Sequence, residues 1–232
     1  MFIGYWYIDP VYMAVFVITL LISIAAQVFI KSAYSKWSKK PNSSGLTGEE
    51  VAQVLFKKTD LKPVKLEHTS GQLADHYDPA HQVVRLSDST QKQKSIAAMA
   101  IVAHELGHVQ QHQVGSGLIK MRNFLVPALT WSPILSYAMI MFGLLMNAYG
   151  LAKLGVIVFG IMVLFAFITL PVEIDASKRG IKLLEQAGLM KTNLDRKGSK
   201  AVLTAAASTY LAAAITALLQ LLYYISLINR DR

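Results

Sequence analysis

Val102–Gln113 reads VAHELGHVQQHQ, with histidines at 104, 108 and 112 and a glutamate after the first of them. The segment before it, SIAAMAIVA (95–103), is apolar, so the whole stretch is predicted to be a helix buried in a core. Residues four apart share a helix face one turn apart. His104 and His108 can therefore converge on one metal ion, and Glu105 is placed to take a proton from a water there. Two histidines and a glutamate buried without a partner would cost several kcal/mol. His112 lies on the same stripe, but eight residues from His104 is about 12 Å along a helix. One ion cannot be reached from both ends of that span, so His112 falls outside the ligand set, as a residue behind the ligands, one that faces substrate or, the first choice, one that is solvated.

A catalytic zinc usually has three protein ligands and one open position. With His104 and His108 as two, the third must come from elsewhere in the chain, and its position decides how the chain folds. The sequence has no cysteine, so thiolate ligands and disulfides are excluded. The segment LPVEIDASKRG (170–180) follows a long apolar run and carries Glu173 and Asp175. A carboxylate at a lipid boundary is costly unless it has a partner, and a metal ion is one. Pro171 suits a helix start or a kink, which would put both acids in a first turn. They are two apart and point away from each other, so one of them binds metal. Glu173 is the choice and Asp175 the alternative. Asp175 can instead pair with Arg179 at i, i+4, or bond the outer nitrogen of a ligand histidine.

The rest of the chain explains how Glu173 returns to the HExxH helix. The 232 residues are 53% hydrophobic, with a mean hydropathy of +0.40, and the apolar residues gather in blocks of membrane-crossing length. These fall at about 11–30, 125–149, 154–171 and 205–228. Residues 31–124 hold 13 Lys/Arg and 172–200 hold seven; the other three are Lys153, Arg230 and Arg232. With four spans the two basic regions lie on one side, which the positive-inside rule makes cytoplasmic. The net charge of +9 follows from this bias, and no nucleic-acid motif accompanies it. The first block has its positive charge after it, in KSAYSKWSKK (31–40), the reverse of a signal peptide, and reads as an uncleaved anchor.

The expected organisation is an N-terminal transmembrane anchor (1–30) and a cytoplasmic part carrying the HExxH helix (31–124). A transmembrane hairpin (125–171), a cytoplasmic helix with the third ligand (172–204) and a C-terminal transmembrane helix (205–232) follow. The fold class is a mainly α integral membrane protein of about four transmembrane helices, with a cytoplasmic zincin-like α+β domain. Within 31–124, Thr47 and Glu50 form a capping box for an amphipathic helix. Gly71 and DPAH (78–81) break strand-like runs and signal a hairpin. VVRLS (83–87) reads as an edge strand. A long helix is expected from Ser89 or Thr90 to near Gly115.

Three stretches together, LADHYDP with VRLS, then VAHELGHVQQH, then PVEIDASKRG, resemble the YugP-like bacterial membrane zinc metallopeptidases. The resemblance covers most of the chain, and that family is similar to the HtpX and CAAX-prenyl-protease type of membrane gluzincin. It implies one catalytic Zn²⁺, with His104, His108 and a downstream glutamate as ligands and Glu105 catalytic. Many gluzincins place an Asp four residues after the ligand Glu; here that position is Ser177. The resemblance also implies a multi-pass protein of the bacterial plasma membrane. It would hydrolyse membrane-associated or misfolded protein substrates at the cytoplasmic face and bind lipid but no nucleic acid, with an oligomer or regulatory partner left open. A peptide would pair with the edge strand. Tyr210, Arg179 and His76 are candidates to stabilise the oxyanion. The competing reading is a non-catalytic, zinc-stabilised membrane scaffold, which would need a fourth ligand such as His76 or Asp175.

Overall fold

The structure describes residues 9–230. The first eight residues of the anchor segment and the final Asp231–Arg232 lie outside them. The computed structural model is mainly helical. Helix α1 is Pro10–Ser38 and α2 is Gly48–Lys58. Three strands follow: β1 (Lys65–Thr69), β2 (His76–Asp78) and β3 (Val83–Ser87). Then come α3 (Asp88–Lys92), α4 (Ile96–Gln113), α5 (Gly117–Leu145), α6 (Tyr149–Gln186) and α7 (Asn193–Arg230).

Among the described residues three helices, α1, α6 and α7, are long and apolar enough to cross a membrane. Helix α5 bends by 57° between its segments Gly117–Val126 and Trp131–Leu145, and counts as a fourth if it is one span. Pro127 lies in that break and has no N–H to donate to the helical ladder. Helices α5 and α6 form a close hairpin. A Cβ on Gly143 would stand 2.4 Å from the Ala152 nitrogen, and Ser136 Oγ donates to Gly155 O at 3.0 Å. Small residues at such a contact let helix backbones approach in lipid.

Helix α6 has 38 residues, about 57 Å at 1.5 Å per residue, against a hydrocarbon core of about 30 Å. One continuous helix therefore contains both the apolar run and the acids beyond it. Pro171 sits inside it rather than at a start, so Glu173 and Asp175 are not first-turn acids. Helix α7 likewise runs unbroken through residues 204 and 205.

Helix α4 is buried on nearly every side along its apolar first half, Ile96–Ala103, and keeps Glu105, His108 and Gln111 buried beyond it. One face packs with α2 and the sheet through Met99, Val102 and Leu106 against Val51, Leu55 and Leu86. Another packs through Ile96, Ala97 and Ala100 against Tyr34, Trp37, Val202 and Leu203 of α1 and α7. The expected long helix from residue 89 or 90 is divided instead. Lys94 O accepts from Asn42 N and Ile96 N donates to Lys40 O, both at 2.9 Å. These pairings with the segment after α1 hold Ser95 extended, and its hydroxyl caps α4 by accepting from Ala98 N at 3.1 Å.

The capping box at Thr47 and Glu50 forms as expected. So does the hairpin between β2 and β3, where Asp78 Oδ1 accepts from Ala80 N and His81 N. The edge-strand reading of VVRLS is overturned. The sheet order is β1-β3-β2, with β1 parallel and β2 antiparallel to β3, so β3 is central. Its Val83, Val84, Leu86 and Ser87 are buried, and Arg85 is held from both sides, by Asp78 at 2.8 Å and Glu67 at 3.3 Å. The Arg85 guanidinium, then the His81 ring, hold the Asp78 carboxyl well below the usual carboxylate range.

Candidate metal centre

Two glycines decide how α4 meets α6. A Cβ on Gly107 would stand 2.2 Å from Ala176 O, and one on Gly180 would stand 2.6 Å from Ala103 O. The helices touch backbone to backbone at Ala103 and Gly107, each the residue just before a histidine, and this close approach delivers Glu173. Its Oε2 lies 3.2 Å from His104 Nε2 and 3.4 Å from His108 Nε2. One donor atom from each of the three falls within 4.8 Å of the others. The two rings meet nearly at right angles, with centroids 4.7 Å apart. Glu173 is 2% exposed, so its charge is almost wholly removed from water.

The outer nitrogens are tied down. His104 Nδ1 lies 3.1 Å from Ser177 Oγ, one turn beyond Glu173 on α6. His108 Nδ1 lies 3.0 Å from Gln111 Oε1. The Gln111 amide donates to Val172 O at 2.9 Å and to Asp175 Oδ2 at 2.7 Å. Both partners of that nitrogen are acceptors, so the Gln111 oxygen must face His108, and His108 Nδ1 must carry the hydrogen. Nε2 of the neutral ring then offers a lone pair toward a carboxylate oxygen that offers another. A shared proton or a shared cation satisfies the pair, and two imidazoles with one carboxylate are a donor set suited to zinc. Asp175 is not part of this group. It accepts from Arg179 Nε at 2.7 Å as well as from Gln111, and so reaches His108 only through the glutamine.

A cavity of about 550 Å³ opens over the three donors. Glu105 lines it and is buried, at 7% exposed. Tyr210 and His76, two of the expected oxyanion candidates, line it too. Arg179 does not: it lines a separate polar cavity with Asp60, Lys178 and Lys182. His112 lines the main cavity, the substrate-facing alternative to the solvated reading, and its Nδ1 lies 2.9 Å from the Tyr77 hydroxyl. Burial holds the Tyr77 phenol above its ordinary value, so it keeps its proton at neutral pH. Asp75 stands at the rim. It accepts from Ser87 N at 2.7 Å and Thr90 Oγ1 at 3.0 Å, which pins the LADHYDP loop beside the site.

Three contributors were missed in the sequence. Gln111 and Ser177 were open to discovery, because each lies three or four residues from a ligand candidate on the same helix face. Arg122, on the first turns of α5, read only as one more basic residue before a span. Its guanidinium is 3.8 Å from Glu173 Oε1, and its Nε is buried with no hydrogen-bond partner among the described residues.

Residues 12–229 match the family described as "Putative neutral zinc metallopeptidase". The chain belongs to this family. It is 37% identical over 211 residues to "Putative membrane protease YugP" of Bacillus subtilis (strain 168), covering 91% of this chain and 93% of that one. No solved structure matches the chain. Family membership implies zinc, and the donor set of His104, His108 and Glu173 fits that ion. The triplet and its supports sit well inside the matched residues.

Proposed function

We propose that the protein is a zinc-dependent endopeptidase embedded in the bacterial plasma membrane. It would cleave membrane-associated or misfolded protein segments at the cytoplasmic face, with His104, His108 and Glu173 as ligands and Glu105 as general base. The observation that carries this reading is the convergence of the three donors beneath a cavity that Glu105 also lines. The donor group has three members and opens on a cavity, which suits a catalytic zinc better than a closed structural one.

A zinc ion at this site supplies Lewis acidity, which makes water a nucleophile at neutral pH. Glu105 takes the proton of the attacking water and delivers it to the leaving amine. Arg122, with its buried and unpartnered Nε, faces the charge that develops on the scissile carbonyl oxygen, a role assigned here in place of Arg179. Tyr210 is a second donor on the same cavity. An extended substrate pairs with β2, the edge strand whose His76 and Tyr77 line the cavity, and not with the central β3.

The topology follows from charge. With the bent α5 taken as one span, four crossings put residues 31–124 and 172–200 on one side. That side carries 20 of the 23 Lys/Arg and is cytoplasmic by the positive-inside rule. The test is metal removal. Stripping zinc from the purified full-length protein with a chelator should abolish cleavage of an unfolded protein substrate, and stoichiometric zinc should restore it. Full cleavage by zinc-free protein would reject the proposal.

A further inference from the structure

The main cavity is not the only space that reaches His104 and Glu105. A second chamber of about 200 Å³ also touches those two residues, and shares Asp75 and Tyr210 with the first. The two differ in chemistry. Beyond the shared residues, the main cavity mixes His76, His112, Arg122 and Asn123 with Ile119 and Val126, whereas the second adds Ile30 of α1, Ile101 of α4, and Val202, Leu203 and Ala206 of α7, with Thr209 its one polar addition among the described residues. A peptide whose scissile bond lies at Glu105 carries a side chain next to that bond, and the chamber that touches Glu105 offers it apolar surroundings.

Two further observations point to an occupant. Leu73 lines the chamber, is 42% exposed, and has φ +57°. A non-glycine residue in the left-handed region is strained, and the loop holds this one so that an apolar side chain stays exposed beside the site. The chamber's position also matters. Ile30 closes the first apolar block and Lys31 opens the basic segment, so on the topology proposed above the chamber would lie at the boundary between lipid and water.

We infer that this chamber is the subsite for a large apolar side chain next to the scissile bond, so the enzyme selects bonds flanked by leucine- or phenylalanine-sized residues at the edge of a membrane segment. The inference rests on the endopeptidase reading above. An apolar pocket of this kind discriminates between side chains by the area each one buries.

The test uses the full-length zinc-loaded enzyme in detergent, with peptides that differ only at the residues adjoining the scissile bond. The wild type should prefer Leu or Phe over Gly by about tenfold or more in kcat/KM at one of those positions. Ala206→Leu, which fills the chamber from α7, should lower the Leu-to-Ala ratio about tenfold while the zinc content per chain stays at the wild-type value. A wild-type ratio near one overturns the subsite, and so does a ratio unmoved by Ala206→Leu. A uniform change across all peptides, as expected if a lipid acyl chain fills the chamber, overturns it too. Glu105→Gln run in parallel separates the two claims. Cleavage surviving in that variant strikes the catalytic reading, whereas cleavage abolished by Glu105→Gln together with a ratio that Ala206→Leu leaves unmoved strikes the subsite alone.

Discussion

His104 Nδ1 lies 3.1 Å from the hydroxyl of Ser177, which stands four residues after Glu173. In many gluzincins that position is an Asp. The serine occupies the place from which such an Asp can orient a ligand histidine, and makes the contact without a charge. Ser177→Ala should therefore lower zinc affinity by about tenfold, within the range for losing an outer partner of a ligand histidine. Ser177→Asp should recover it. Competition against a chromophoric chelator measures both, and equal affinity in the alanine variant and the wild type would refute the role.

Glu173 and Asp175 separate in the same assay. Glu173 Oε2 faces both histidines, while Asp175 is engaged by Arg179 and Gln111. Metal analysis of Glu173→Ala should find little zinc. Asp175→Ala should keep nearly one zinc per chain, held more weakly because Gln111 loses a partner. The reverse pattern would exchange the two assignments.

Arg122→Ala should leave zinc content intact and lower kcat with little change in KM, by about 10²-fold if its guanidinium meets charge formed only in the transition state. Steady-state kinetics on one peptide decide the matter. A rise in KM at constant kcat would show that Arg122 binds ground-state substrate instead.

Much of the site was legible because its spacing is local. His104, Glu105 and His108 follow from one turn of helix, and Glu173 from the need for a third ligand on the same side of a two-helix hairpin. What escaped was set by tertiary contacts. The break before α4 depends on Lys94 and Ile96 pairing with the segment after α1, 50 or so residues earlier in the chain, and no local propensity announces that pairing. The edge reading of β3 failed because β1 joins it in parallel from the far side, a pairing no turn residue signals. Helix rise alone sets His112 apart from the pair His104 and His108, yet its bond to Tyr77 depends on where the sheet packs. Pro171 misled because a proline in a long helix can be carried through by its neighbours, and α6 carries it.

The central claim is that Glu105 is the base of a zinc site formed by His104, His108 and Glu173. Glu105→Gln tests it most directly, with zinc content and peptide cleavage measured on the same purified preparation. The account predicts one zinc per chain, as in the wild type, with cleavage reduced by at least about 10²-fold. Zinc retained together with cleavage at the wild-type rate would contradict it.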